Sequence, residues 1–436
     1  MNKSDSERIA SVLEKVGYRQ ALNITEADLI VVNACSVRQS AIDRIYGLSP
    51  KFEKLKTKNN KLKTILTGCV LKEDKKKFSK SFNLILNIND LPKLPNILNT
   101  KYKIQDKKNC KIKVDQYLKI QPIYQSSFSA YIPIMTGCNN FCSFCVVPYT
   151  RGREISRPAE EIICEAENLV KRGYKEIWLL GQNVNSYKFK EINFPKLLRM
   201  VNDIPGNFWI RFTSSHPKPS TRAKLGAGLV RDLNEVSGAG DFSWDELIET
   251  MVKCEKVTEY LNLPVQSGDN EILKKMNRPY IIKQYKEIVR EIREKVSEIS
   301  LSTDVIVGFP GETEKQFQNT VNLFKEIRYD MAYIAKYSAR SATAAANLKD
   351  DVSWQEKEKR WKILSEILKE TALEKNKEYL GKILDVLVGA DQRGYLRGKT
   401  RNYKTIKFES PKNLIGQFVK IKVVDALPWG LKGEII

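Results

Sequence analysis

Histidine is almost missing from this 436-residue chain, which holds one, His216. A zinc site built on imidazoles and a Ser-His-Asp triad are therefore both poor fits, since each draws on histidine chemistry. Also absent is any apolar run long enough to span a bilayer. The opening Met1-Asn-Lys-Ser-Asp-Ser-Glu-Arg is polar and mixed in charge, without the apolar core of a secretory signal. A cytoplasmic location with no membrane partner is expected. Acidic residues are in deficit, 52 against 74 Lys and Arg, which leaves a formal charge of +22. That excess favours a polyanion through counterion release, and nucleic acid leads the candidates. An AT-rich genome also inflates Lys on solvated faces, so charge alone leaves both explanations open. Eight cysteines in a reducing compartment are not expected to form disulfides, and their spacing carries the information.

What is present reads as an α/β chain followed by a small β module. From Ser4 to about Asp90 a helix-like pattern alternates with short apolar runs, Ala27-Asp-Leu-Ile-Val-Val-Asn and Lys63-Thr-Ile-Leu-Thr, which predict parallel strands. Between about Leu91 and Ser127 the chain turns lysine-rich and loses periodicity, marking a boundary. Alternation resumes from Ala130 to about Arg340. Strands are expected at Tyr131-Ile-Pro-Ile-Met, Glu176-Ile-Trp-Leu-Leu, Phe208-Trp-Ile-Arg-Phe, Tyr260-Leu-Asn-Leu and Ser302-Thr-Asp-Val-Ile-Val, with helices between them. Repeated β-then-α units predict a full or partial barrel, or an open parallel sheet. After a long charged helix from Trp354, short strands separated by Gly, Asn and Pro turns predict a small β-barrel. Its Arg393, Arg397, Lys399, Arg401 and Lys404, interleaved with Tyr395 and Tyr403, suit a phosphate backbone and stacked bases.

Gly137-Cys-Asn-Asn-Phe-Cys-Ser-Phe-Cys sets Cys138, Cys142 and Cys145 in C-x3-C-x2-C spacing just after an expected strand. Thiolates so close together suit an iron–sulfur cluster. Zinc would need a fourth ligand, and a redox dithiol would leave Cys138 unexplained. Cys35 and Cys69 each end an expected strand; parallel neighbours would bring both to one sheet edge, as cluster ligands or as two inert buried thiols. Cys164 and Cys254 fall on helix patterns and read as structural.

The cysteine spacing is the signature of the radical S-adenosylmethionine (SAM) superfamily. The run Asn139 to Glu154, Leu180-Gly-Gln-Asn-Val-Asn-Ser-Tyr, Ser214-Ser-His-Pro, Leu263-Pro-Val-Gln-Ser-Gly and Asp304-Val-Ile-Val-Gly-Phe-Pro-Gly-Glu-Thr narrow the match. Together they resemble the tRNA-2-methylthio-N6-dimethylallyladenosine synthase branch of the methylthiotransferases. Arg397-Gly-Lys-Thr-Arg-Asn-Tyr-Lys resembles the family's RNA-binding TRAM domain. The resemblance implies three parts: an N-terminal cluster domain over 1–118, a radical-SAM partial barrel over 124–372 with an insertion at 219–240, and a TRAM barrel over 375–436. It implies two 4Fe-4S clusters, one on Cys138, Cys142 and Cys145 with an open iron for SAM, and an auxiliary one on Cys35 and Cys69. Phe144 is implied to lie against the SAM adenine; core packing explains it equally well. The turns holding Gly181, Gln182, Gln266, Ser267, Gly268, Gly308 and Glu312 are implied as SAM-binding edges, though each also reads as a tight turn. The implied reaction converts N6-isopentenyladenosine beside the tRNA anticodon to its 2-methylthio derivative, by a monomeric transferase working with a reductant and a sulfur donor. An inactive RNA-binding metalloprotein, or another methylthiotransferase branch, is the alternative.

Three departures bear on activity. The family's first strand ends in Gly-Cys-Gln-Met-Asn where this chain starts at Met1-Asn2; a Cys-bearing strand upstream of Met1, or a degraded copy, is expected in preference to Cys110 as a replacement ligand, and the chain as written is expected to cleave SAM but transfer little or no methylthio group. Residues 219–240 interrupt the family pattern and are expected to form an exposed insertion. Asn262 stands at a usual His position, and Tyr337-Ser-Ala-Arg-Ser-Ala-Thr lacks the family's prolines and glycine.

Overall fold

The β-branched run before Cys35 becomes strand β1 (Leu29–Cys35) in the computed structural model, which describes residues 1–36, 39–99, 115–218, 242–392 and 394–436. The expected insertion, Cys110 and Arg393 lie outside the described residues. The chain divides into two units. One comprises Met1–Gln125, Met135–Arg157 and Ser338–Asn347; the other comprises Ser126–Ile134, Pro158–Tyr337 and Leu348–Ile436.

In the first unit β1 pairs in parallel with β2 (Lys63–Cys69), and β2 with β3 (Leu84–Ile85). Successive strand residues face opposite sides, so Ile65 and Leu66 serve different cores. Ile65 packs with Ile9 and Val12 of helix α1 (Asn2–Lys15), and with Ile88 and Leu91. Leu66 packs with Ile42, Ile45 and Phe52 of helix α2 (Gln39–Lys58), and with Phe78. Both faces of the sheet are thus covered by helices, as a parallel sheet requires. The unit also holds the short antiparallel pair Met135–Thr136 and Ile155–Ser156, with helix α3 (Val147–Arg151) in the connection.

Among its described residues the second unit contains six parallel strands in two sheets of three. The order is β6-β5-β4 for β4 (Ser129–Pro133), β5 (Glu176–Leu180) and β6 (Trp209–Phe212). The other sheet runs β7 (Tyr260–Asn262), β8 (Ser300–Val307) and β9 (Met331–Lys336). A parallel bridge between Ile210 and Val257 joins them, giving the partial barrel. Helix α4 (Trp354–Lys377) then leads to β10 (Ile383–Gln392), β11 (Tyr395–Thr400), β12 (Thr405–Phe408), β13 (Phe418–Leu427) and β14 (Gly430–Ile435). These five close into a barrel in the order β10-β11-β12-β14-β13, around Val386, Val388, Leu396, Ile406, Phe408 and Ile421. Strands β9 and β11 were not among the expected ones. All but one residue of β9 is half-buried, so no clean alternation marks it, and Tyr-Leu-Arg-Gly-Lys-Thr of β11 reads as polar loop.

The C-terminal barrel is joined to the parallel strands through a buried arginine. Arg211 of β6, 1% exposed, bonds Glu176 of β5 at 2.7 Å and donates to the carbonyl oxygens of Thr400 and Arg401, each at 2.7 Å. Tyr403 follows with φ 65°, and its ring lies 5.2 Å from Trp178, 4.6 Å from Tyr260 and 5.0 Å from the Arg211 guanidinium. Tyr403 was expected to stack on bases; its ring is instead packed among the inward aromatics of β5 and β7. Arg211→Met would remove the donors to two carbonyls and leave Glu176, 8% exposed, without its cation. The expected cost is about 3–5 kcal/mol of unfolding free energy in urea, and a change within about 0.5 kcal/mol would contradict this account of the joint.

Candidate functional site

Two groups of cysteines lie in the first unit. The local one is a loop that begins at Gly137, whose φ is 79° and where a Cβ would fall 2.0 Å from the Arg153 carbonyl oxygen. Only glycine permits that close crossing. Cys138 N–H donates to the Gly152 carbonyl at 3.2 Å, Phe141 takes a left-handed φ of 43°, and Cys145 N–H turns back to the Cys142 carbonyl at 2.9 Å. Cys138 and Cys142 are buried, Cys145 half-buried, and none is in a disulfide. Phe144 is half-buried on the same loop. Among the described residues no three Cys, His, Asp or Glu side chains converge on one point that could hold a single metal ion. The donor set of three thiols on a short loop fits a cluster instead, since each sulfur then takes its own iron and the ligands surround a body.

The non-local group is set by sheet register. Cys35 and Cys69 are Cα partners at the ends of β1 and β2. Gly68, at φ 98°, allows the strands to close: a Cβ there would fall 2.3 Å from the Ala34 carbonyl oxygen. The expectation that both cysteines share one sheet edge therefore holds. Cys69 is 3% exposed, and burial pushes its thiol pKa up against the opposing pull of Arg151. Arg151, the last residue of α3, donates its Nε–H to Cys69 Sγ at 3.1 Å and its Nη2–H to Asp5 at 2.5 Å. Tyr117 donates its hydroxyl to the other Asp5 oxygen. Arg151 Nη1, Ser36 Oγ and Thr67 Oγ1 are buried without hydrogen-bond partners. Two thiols, a cation and unmet polar atoms at one edge fit part of an auxiliary cluster site. Sequence reasoning missed Arg151, whose partner Asp5 stands 146 residues away, beyond any local pattern.

In the second unit the expected SAM edges follow the C-terminal ends of parallel strands, but several have internal duties. Gly308 N–H donates to Glu312 Oε2 at 2.6 Å, and Arg360 reaches the same oxygen at 2.8 Å. Burial pushes the Glu312 carboxyl pKa up, against these two donors. The Cβ positions of Gly308 and Gly268 are filled by Lys357 and by the Thr320 backbone, so each glycine serves close packing. Gln266 has φ 69° and bridges Val305; Ser267 is buried. Gly181 is buried directly after β5, and Gln182 beside it is half-buried.

The unmet polar atoms gather elsewhere. Gln182 Oε1, Asn183 Oδ1, Asn185 Oδ1, Ser215 Oγ and both His216 ring nitrogens are buried and unpaired. They lie on the two loops after β5 and β6, which are tied by Val184 N–H to the Ser214 carbonyl and Asn185 Nδ2 to the His216 carbonyl. Burial pushes the His216 pKa well down, with Arg278 and Lys218 adding to it, so the ring is neutral. These atoms suit a polar ligand such as the SAM amino acid head. Sequence reasoning quoted both stretches yet selected only Gly181 and Gln182 from them.

The expected RNA-binding cations divide in two. Lys404, 7% exposed, bonds Asp330 at 2.7 Å, and burial of Asp330 is outweighed by Lys404 and Lys375, which hold its pKa down. Arg401 bonds Glu259 at 2.7 Å and the Val257 carbonyl at 3.0 Å. Lys399 is half-buried on Thr405, and its pKa falls to about 8 through burial first and then Arg211 and Arg397. These three side chains have partners within the molecule, Asp330 for Lys404, Glu259 for Arg401 and Thr405 for Lys399. Arg397 is exposed on β11, opposite exposed Lys407 in the register of β11 and β12. Lys407 Nζ sits 3.3 Å from the ring centre of exposed Tyr395.

The chain matches the Radical SAM superfamily over residues 132–324, the uncharacterized protein family UPF0004 over 1–88 and the TRAM domain over 375–436. It is 42% identical to a tRNA-2-methylthio-N(6)-dimethylallyladenosine synthase of Clostridium botulinum, covering 100% of this chain and 95% of the relative. A protein of that name from a Thermoanaerobacter species is 39% identical, covering 100% of this chain and 90% of the relative. Among solved structures, the cobalamin-dependent S-adenosylmethionine radical enzyme OxsB aligns with a TM-score of 0.51 at 14% identity, over 85% of this chain and 53% of that one. That likeness concerns the fold. Among the described residues no helix is long and apolar enough to cross a membrane.

The segment Ser338–Asn347 returns to the cysteine loop, where Ala345 N–H donates to the Ser143 carbonyl at 2.7 Å. Within it Ala342 holds φ 69°, the left-handed region that glycine occupies freely. Ala342→Gly is expected to raise stability by about 1 kcal/mol, read as a higher denaturation midpoint. A lower midpoint would show that Ala342 is not strained.

Proposed function

The chain belongs to the tRNA-2-methylthio-N(6)-dimethylallyladenosine synthase family of radical SAM proteins, and we propose that it places a methylthio group on N6-isopentenyladenosine next to the tRNA anticodon. The observation that carries this reading is the presence in one unit of both cysteine groups, the loop of Cys138, Cys142 and Cys145 and the sheet-edge pair Cys35 and Cys69. The loop cysteines would hold a 4Fe-4S cluster, and Cys35 and Cys69 would supply two ligands of a second. When bound, such a centre supplies the electron for reductive SAM cleavage and thereby the power to attack an unactivated C–H bond. The chain's own residues do the rest: Gly137 and Phe141 shape the loop, and burial of Cys138 and Cys142 keeps water from the sulfurs. Within the second unit, Gln182, Asn183, Asn185 and His216 offer unpaired polar atoms to a polar ligand.

The RNA is held by the exposed row across the C-terminal barrel. Arg397 lies opposite Lys407 on adjacent strands, with Tyr395 beside them. Cations spaced along a strand face neutralise phosphates, and the tyrosine offers a stacking plane.

Three outcomes test the reading. Cys142→Ala should reduce anaerobic deoxyadenosine formation to background; undiminished cleavage would sink the cluster assignment. Arg397→Ala with Lys407→Ala should weaken tRNA binding and flatten the slope of log affinity against log salt by about one to two. An unchanged slope would remove this face from the binding surface. Mass spectrometry of tRNA nucleosides from cells with and without the gene should show the methylthio nucleoside only in the former, and equal amounts would refute the assigned reaction.

A further inference from the structure

We propose that Arg151 is a positioning residue for the centre ligated at Cys69, donating into its sulfur and raising the potential at which that centre is reduced. This rests on reading Cys35 and Cys69 as cluster ligands. The geometry is specific. The guanidinium is 2% exposed, and its Nε lies 3.1 Å from Cys69 Sγ. It cannot swing away: Asp5, 0% exposed, takes Nη2, and Tyr117 fixes the other Asp5 oxygen. The backbone that carries it is clamped as well, since Asn87 Nδ2 bonds the Thr150 carbonyl at 3.0 Å and Asn89 Nδ2 bonds the Arg151 carbonyl at 3.1 Å.

The electrostatics of this arrangement call for an anion at the sulfur. A neutral thiol accepts hydrogen bonds weakly, whereas a thiolate accepts a charge-assisted bond about twice as strong as a neutral one. Asp5 balances the guanidinium charge but occupies one of its five N–H groups in this geometry, and Nη1 remains buried without a partner. A buried donor left unmet is costly, a demand that inorganic sulfide or thiolate beside Cys69 would satisfy. Hydrogen bonds to cluster sulfurs and nearby positive charge stabilise the added electron and so raise the potential. The reduction concerned moves one electron onto the centre, breaks no bond and needs no proton; in the test below dithionite is the electron source.

The test uses the full chain with Cys138, Cys142 and Cys145 replaced by Ala, so that iron reports the N-terminal site alone. After anaerobic reconstitution, the midpoint potential is read by electron paramagnetic resonance during dithionite titration, with iron content and thermal melting measured alongside. Arg151→Met is expected to shift the midpoint to more negative potential. Arg151→Lys retains a cation for Asp5 but lacks the forked Nε–H, so it should melt closer to the parent while still showing a negative shift. Should Arg151→Met fail to fold, Arg151→Lys carries the test: a midpoint shifted to more negative potential, or iron lost from folded protein, supports the proposal, and a shift to more positive potential overturns it. Variants that load iron fully at the parent's potential overturn it. A parent that binds no iron–sulfur centre refutes the reading of Cys35 and Cys69, and the proposal with it; that result is distinct from an unchanged potential in loaded variants.

Discussion

The cysteine-bearing unit depends on one buried ion pair, Arg151 with Asp5. At 2% and 0% exposure both charges are out of water, and desolvation of such a pair is recovered only where short hydrogen bonds satisfy the remaining atoms. Tyr117 and Cys69 provide those contacts. The consequence is positional. Asp5 sits on α1, Cys69 ends β2 and Arg151 ends α3, so α1 and α3 cannot slide apart without leaving a charge uncompensated, nor β2 without stripping the Arg151 Nε–H of its acceptor. Because α3 begins at Val147, two residues after Cys145, the loop cysteines and the sheet-edge cysteines share one mechanical reference.

How much of this was legible in the sequence depended on whether a feature is local. Strand Glu176–Leu180 was read to the residue, because a short apolar run with turns on both sides is a local pattern. The C-x3-C-x2-C loop was legible for the same reason. Cys35 and Cys69 were legible one step further out, since two parallel strands ending in cysteine meet whenever the register is level. Arg151, Asp5 and Tyr117 were not. Their contacts span 146 and 112 residues, and a lone arginine in Pro-Tyr-Thr-Arg-Gly looks like any solvated cation. Strand β11 was missed because its buried positions alternate but are Leu396, Gly398 and Thr400, with one large apolar side chain among them, so the sequence carries no hydrophobic stripe of period two.

Charge shows the same division more sharply. The excess of +22 points to a polyanion, yet it does not say which cations meet it. Arg211, Arg401 and Lys404 are among those spent inside the molecule, on Glu176, Glu259 and Asp330. Sequence places Arg397, Lys399 and Arg401 in one basic run. Structure separates them: side chains of a strand alternate, and even residues on one face differ once a neighbouring element covers part of it. Lys399 is half-covered while Arg397 is open. A basic run on a small barrel is therefore a poor map of an RNA face until the barrel's joint to its neighbour is known.

The two cysteine groups also differ in what they ask of the fold. The loop site needs turn chemistry alone: Gly137 for the close crossing, Phe141 in the left-handed region, and a tight Cys142–Cys145 turn. Its donors stay near one another whatever the rest of the sheet does. The sheet-edge site has no such independence. Its two sulfurs are brought level by seven register pairs from Leu29 and Lys63 onward, and the guanidinium bonded to Cys69 arrives from a residue 82 positions away. A one-residue slip of β1 on β2 would turn Cys35 and Cys69 to opposite faces, whereas the loop cysteines would keep their spacing. The strand core of Ile65 and Leu66, with the helices that cover it, is thus as much a part of the second sulfur site as the sulfurs themselves.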